Sequence, residues 1–187
     1  MDIINQSSSP HSSGDKGKTL ILIRHAKSSW DNNALTDFDR PLNERGKKDA
    51  PVMAKRLMES RITIDAFISS PAKRAKKTAE FFIKEFGRKE KEIIFIPELY
   101  EASVETFYHT VLQIDNALSN IAIFSHNPGI TFFANTLTSN TRLDNMPTCS
   151  VFAVKSNIKK WSYFRDSEKE FWFFDYPKKG QLTGENS

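Results

Sequence analysis

Thr19-Leu20-Ile21-Leu22-Ile23-Arg24-His25-Ala26 is branched and apolar as far as Ile23, then turns basic within two residues. A run of that texture suits a strand covered on both faces, as in a parallel sheet, and such sheets bind ligands beyond the carboxyl ends of their strands. The stretch reads as a buried strand that carries an arginine and a histidine to the place where α/β proteins build sites. A lone Arg-His pair also arises by chance on ordinary surfaces, so the rest of the chain has to decide.

Working outward, apolar runs of strand character recur at 65–69, 92–96 and 120–125, with helical stretches between them. In 43–61 the apolar positions Ala50, Met53, Ala54 and Leu57 return every three or four residues, the spacing of a helix with one buried stripe; Pro51 either kinks that helix or marks its start. Ala75, Thr78, Ala79, Phe82 and Phe86 repeat the pattern over 71–86. Beyond residue 140 the texture changes to three aromatic-rich strand candidates, 150–155, 161–164 and 170–175, joined by short polar connections. Alternating β and α elements followed by such a set predict an α/β fold: a three-layer α/β/α sandwich whose central sheet is mostly parallel, with antiparallel strands at one edge.

A chain of 187 residues holds one domain with a full core. That domain is expected over 19–177, between a flexible polar tail at 1–18, where His11 is inert, and a second polar tail at 178–187. The 27 basic residues are answered by 23 acidic ones, leaving a formal charge of +4. That mild bias suits an anionic substrate and gives no nucleic-acid signature. The lone Cys149 excludes an internal disulfide and any CxxC pair, and reads as a small core residue. Neither a long apolar span nor a secretory leader pattern is present, so no membrane association and a cytoplasmic location are expected.

Two further segments follow strands directly. In Ser69-Ser70-Pro71-Ala72-Lys73-Arg74, Ser70 is the expected N-cap and Pro71 the expected first helical residue, which sets Arg74 about one turn into a new helix, where free amides and a guanidinium suit an anion. Taken alone, Arg74 reads as one more solvated base beside Lys73, Lys76 and Lys77. Ser125-His126-Asn127-Pro128-Gly129 brings a second histidine to the same end of a second strand, then turns into a helix through Ile130, Phe132, Phe133 and Leu137. Two histidines and two arginines at one sheet edge make coincidence less attractive than any single motif would.

With Leu22-Ile23-Arg24-His25-Ala26-Lys27-Ser28, Asp39-Arg40-Pro41-Leu42-Asn43-Glu44-Arg45-Gly46, Ser69–Arg74 and Ser125–Gly129 together, the chain resembles the histidine phosphatase superfamily, and within it the SixA-type phosphohistidine phosphatase branch. The resemblance implies a hydrolase of phosphomonoesters or phosphoramidates that works through a covalent phosphohistidine and needs neither metal nor cofactor. Its implied partner is a phosphorylated substrate, in that branch a phosphohistidine protein.

On that basis His25 is the nucleophile, neutral and with one ring nitrogen held by a backbone acceptor. Arg24 and Arg74 clamp the phosphoryl oxygens, and His126 donates to them. Arg40 either joins the site or pairs with Asp37 or Asp39; Ser28 either lends its hydroxyl to the phosphate or is an ordinary loop residue. Glu101 is the best-placed proton donor, with Glu98 its competitor, and a good leaving group such as imidazole makes such an acid dispensable. Asp31 stands where related proteins often carry an asparagine, so its loop is expected either to be shaped differently or to point away from the anion. A cation on His25, His126 and Asp31 is the metal reading, disfavoured because the arginines already supply the positive charge. His109 reads as structural or exposed. Two rivals stay open: a mutase or small-metabolite phosphatase of the same superfamily, and a non-catalytic phospho-binding module.

Overall fold

The structure, a computed structural model, describes residues 17–31 and 34–179. His11, residues 1–16 of the tail expected over 1–18, and residues 180–187 of the tail expected over 178–187 lie outside the described residues. Lys18, assigned from sequence to the first tail, instead opens the first strand and donates from Nζ to the carbonyls of Asn116 and Leu118 at 2.7 and 2.9 Å.

Six strands make one sheet: β1 (Lys18–Arg24), β2 (Ala66–Ser69), β3 (Ile94–Phe95), β4 (Asn120–Ser125), β5 (Val151–Ser156) and β6 (Glu170–Asp175), in the order β3-β2-β4-β1-β5-β6. β1 to β4 pair in parallel; β5 runs antiparallel to both β1 and β6. The expected mostly parallel sheet with antiparallel strands at one edge is therefore present. One of the three terminal strand candidates is not a strand: Trp161–Tyr163 form a single 3-10 turn. Trp161 is drawn inward there, its indole Nε1 donating to the Leu118 carbonyl at 2.8 Å, and that tertiary bond overrides the β preference of an aromatic run.

Strand periodicity explains the layers. Alternate β1 side chains face opposite ways, so Leu20 and Leu22 enter one core while Ile21 and Ile23 enter the other. The first core is closed by α3 (Val104–Leu112) and α4 (Gly129–Leu137), the second by α1 (Glu44–Glu59) and α2 (Lys73–Glu85). Ala50, Met53, Ala54 and Leu57 form the buried stripe of α1 as their spacing predicts. The helix starts at Glu44, where the Asn43 side chain caps the Gly46 amide at 2.9 Å, and runs through Pro51, which marks no start. Among the described residues no helix is long and apolar enough to cross a membrane.

α2 begins later than its sequence signals indicate. Its first residue is Lys73 and its cap position is Ala72, without a side-chain cap. Arg74 is thus the second helical residue, and the Ser70 hydroxyl, two residues before the cap position, accepts from the Ala72 amide at 3.3 Å.

Candidate active site

β1 and β4 are adjacent and parallel, with Arg24 registered opposite Ser125, so His25 and His126 are the next residues out of the sheet on neighbouring strands. Both rings are buried, and their centroids lie 5.0 Å apart. The turn at Cys149 locks the β1 end: its amide donates to the carbonyls of Arg24 and His25, each at 3.1 Å, from a left-handed backbone at φ 63°. Cys149 is buried as expected, and burial pushes its thiol up, so the residue serves packing and backbone geometry.

His25 Nδ1 donates to the Ala26 carbonyl at 2.7 Å, which leaves Nε2 as the bare nitrogen. The Arg74 Nε–H lies against that lone pair at 3.3 Å. Burial is the largest effect and lowers the imidazole; the Ala26 bond, next in size, opposes it, and the charges of Arg74, Arg24 and Arg40 add to the lowering, to about 3, so the ring is neutral at physiological pH. His126 is lowered to about 2, again first by burial and then by His25 and Arg74. Its Nε2 meets the Ser70 hydroxyl at 2.9 Å, whereas Nδ1 is buried with no hydrogen-bond partner among the described residues. Tyr100 stands edge-on to the same ring, 5.4 Å away at 88°.

Three arginines gather around these histidines. Arg24 donates from Nη1 to the Met146 carbonyl and keeps a buried, unpartnered Nε. Arg74 and Arg40 have side chains only 7% and 8% exposed, and both reach the carboxylate of Asp37, which is 48% exposed. Arg40 Nη1 meets Asp37 Oδ1 at 2.8 Å; Arg74 Nη2 and the Tyr100 hydroxyl meet Oδ2 at 2.7 and 2.8 Å. Burial opposes ionisation of Asp37, but the bonds from Tyr100, Arg74 and Arg40 outweigh it and hold the carboxyl at about 2. A half-exposed anion therefore rests on two buried guanidiniums at the mouth of the cluster.

Of the residues expected from sequence, Arg24, His25, Arg74, His126, Arg40 and Ser28 meet in one cluster. Arg40 pairs with Asp37, one of the partners foreseen for it, and its charge also reaches His25. Its alternative partner Asp39 instead takes the Thr36 hydroxyl at 2.6 Å. Ser28 is buried and accepts from Arg40 Nη2 at 2.8 Å, so its oxygen holds the guanidinium. Trp30 covers the other face of Arg40, 3.1 Å from ring centroid to guanidinium carbon.

The acids stand apart. Glu101 is exposed with a left-handed backbone at φ 55°, next to Tyr100. Glu98 lines a separate cavity between β2, β3 and α3. Asp31 is exposed and accepts from the Ser29 hydroxyl at 2.6 Å. Among the described residues no three His, Cys, Asp or Glu side chains gather as metal ligands. His109 is exposed on α3 beside Gln113.

Sequence reasoning missed three members. Ser70 had the same signal as the histidines, a polar residue just past a strand, and was spent as a helix cap. Asp37 was seen only as a salt-bridge partner for Arg40. Tyr100 lies in an irregular loop, where no periodicity marks it.

Such a cluster has the chemistry to take an anion: two buried groups, Arg24 Nε and His126 Nδ1, have no hydrogen-bond partner among the described residues and call for an acceptor, and His25 offers an unprotonated imidazole nitrogen. Residues 20–118 match the model of the histidine phosphatase superfamily, branch 1. Over 80 residues the chain is 36% identical to the 2,3-bisphosphoglycerate-dependent phosphoglycerate mutase of Bartonella tribocorum, covering 42% of this chain and 39% of that protein. The chain thus spans about two fifths of the length of that curated relative. Among solved structures, one assigned as the phosphohistidine phosphatase SixA of Agrobacterium tumefaciens superposes with a TM-score of 0.72 at 23% identity, covering 86% of this chain and 99% of that one. A structure of the protein histidine phosphatase SixA complexed with tungstate gives 0.72 at 19% identity, with 85% and 97% covered. At those identities the likeness speaks for the fold.

Proposed function

The chain belongs to the histidine phosphatase superfamily, and on that premise we propose that it is a phosphohydrolase acting through a covalent phosphohistidine on His25, with phosphohistidine proteins as its substrate class. The observation that carries this reading is the state of His25: a buried neutral imidazole whose Nδ1 is tied to a backbone carbonyl while Nε2 faces an arginine. A nucleophile for phosphorus needs that free lone pair, and a surrounding positive cage offsets the charge on the transferring group.

In the first step the Nε2 lone pair bonds to phosphorus, and the bond from phosphorus to the leaving atom breaks with its electron pair going to that atom. Arg24 and Arg74 hold the phosphoryl oxygens. His126 donates from Nδ1, with the Ser70 hydroxyl donating to its Nε2. Water then attacks phosphorus, phosphate departs and His25 regains its lone pair. A departing imidazole already bearing a proton on its other nitrogen leaves neutral, so a phosphohistidine substrate needs no strong acid; an alkoxide would need one, and Glu101, beside Tyr100, is the residue assigned to serve it.

A second reading, a small-metabolite phosphatase or mutase, is favoured by the name of the curated relative above. The SixA-like fold covering most of the chain supports the first. Initial rates on a phosphohistidine protein and on a panel of small phosphomonoesters, with and without EDTA, separate them. The account expects the protein substrate to have the highest kcat/KM and EDTA to leave it unchanged. A small ester preferred by orders of magnitude would establish the second reading, and loss of activity in EDTA would contradict a metal-free cage.

A further inference from the structure

A cavity of about 550 Å³ opens beside Arg24 at the same sheet edge, between β1, the start of α1 and the chain that follows β6. Four cations line it, Arg24, Lys27, Arg45 and Lys178, against a single carboxylate, Asp49. Arg45 reaches Asp49 at 3.7 Å and the Thr148 hydroxyl at 3.1 Å. The Lys27 ammonium, on a half-buried residue, and that of Lys178 have no hydrogen bond or ion pair among the described residues.

This concentration is built by the fold. The Asn43 amide donates to the Lys27 carbonyl at 3.0 Å, and a Cβ on Gly46 would lie 2.2 Å from that same oxygen. Only glycine lets the first turn of α1 pack flat against Lys27, and that contact fixes Lys27 and Arg45 side by side. The positive end of a 16-residue helix adds to their charge. A basic lining is also no general property of this basic chain. The larger cavity between β2, β3 and α3 carries Glu98, Glu105 and Asp115 with no lysine or arginine.

We propose that the cavity is a second anion subsite, taking a carboxylate or a second phosphoryl group borne by the molecule whose first phosphoryl group engages His25. The inference rests on the hydrolase reading and refines its substrate class. Arg24 links the two sites: it lines this cavity, it immediately precedes His25, and its buried Nε has no hydrogen-bond partner among the described residues. The second anion is either an acidic residue flanking the phosphohistidine of a protein or the second anionic group of a small metabolite, since both present the same chemistry to these cations.

The test measures kcat/KM on matched pairs: a phosphohistidine peptide with Asp and Glu flanks against its Asn and Gln counterpart, and a sugar bisphosphate against its monophosphate. The wild-type protein should prefer the doubly anionic member of one pair by about tenfold, the scale of two exposed charge pairs, and the pair that responds identifies the source. That ratio should fall towards one in the double variant Lys27→Gln, Arg45→Gln and at raised salt, and partly in Lys178→Gln, which lies outside any helix and spares the fold. Equal rates within both pairs, or a preference that survives the double variant, overturns the subsite. Wild-type protein inert even towards p-nitrophenyl phosphate overturns the hydrolase reading itself.

Discussion

His25 and His126 occupy equivalent places, each the first residue past one of two adjacent parallel strands, yet their ring nitrogens are wired in opposite senses. His25 ties Nδ1 to a backbone carbonyl and keeps Nε2 for the site; His126 ties Nε2 to a serine hydroxyl and leaves Nδ1 unpartnered. Strand position therefore brings a histidine to the edge, and the second hydrogen bond decides what it does there. A backbone carbonyl can only accept, so it forces one tautomer on His25 and leaves Nε2 the lone pair that the proposed nucleophile needs; a hydroxyl can donate, so it lets His126 present a hydrogen instead.

Replacing each ring breaks the comparison most sharply. His25→Ala should remove essentially all turnover of p-nitrophenyl phosphate or phosphohistidine, whereas His126→Ala, which loses one preorganised donor, should lower kcat by about 10² to 10³. Steady-state assays on both variants, with circular dichroism to confirm folding, measure the gap. Equal losses would mean that the two rings share one role.

A smaller effect is expected from Asp37, the resident anion on Arg74 and Arg40. Asp37→Asn should let inorganic phosphate inhibit at about tenfold lower concentration, because a negative charge then no longer competes for those guanidiniums. A weaker inhibition constant in the variant would show instead that Asp37 chiefly holds Arg74 in place.

The smallest effects follow pH. Both imidazoles are depressed, to about 3 and about 2, from an ordinary value of 6.5. The unfolded chain takes up protons below about 6.5 and the folded one does not, so stability is fully present above that pH and declines as pH falls towards about 3. Thermal melts between pH 8 and 4 should show Tm flat at first and then decreasing, and kcat/KM should show no limb near 6.5 from free His25. A Tm that rises on acidification would mean that the rings are protonated in the fold.

Much of this was legible in the chain because buried parallel strands are written as branched apolar runs, and a polar residue just past such a run has nowhere to go but the site. Arg24, His25 and His126 were found on that ground, and Arg74 from its place at the start of the helix after a strand. Ser70-Pro71 misled because the Ser70 hydroxyl does accept locally, from the Ala72 amide, but the helix starts two residues later and the same hydroxyl also meets His126. Trp161–Tyr163 misled because aromatic density alone does not distinguish a strand from a turn anchored by an indole. Asp37 and Tyr100 were unreadable as site residues: their bonds join positions 37, 74 and 100, and such loop-to-loop closure leaves no periodic trace.

The central claim is a covalent bond between phosphorus and one named nitrogen. Rapid quenching of the protein with labelled substrate, followed by peptide mapping, addresses it most directly. The account predicts an acid-labile, base-stable phosphoryl group on His25, still trapped in His126→Ala and absent from His25→Ala. An acid-stable or base-labile adduct, or label on any other residue, would contradict it.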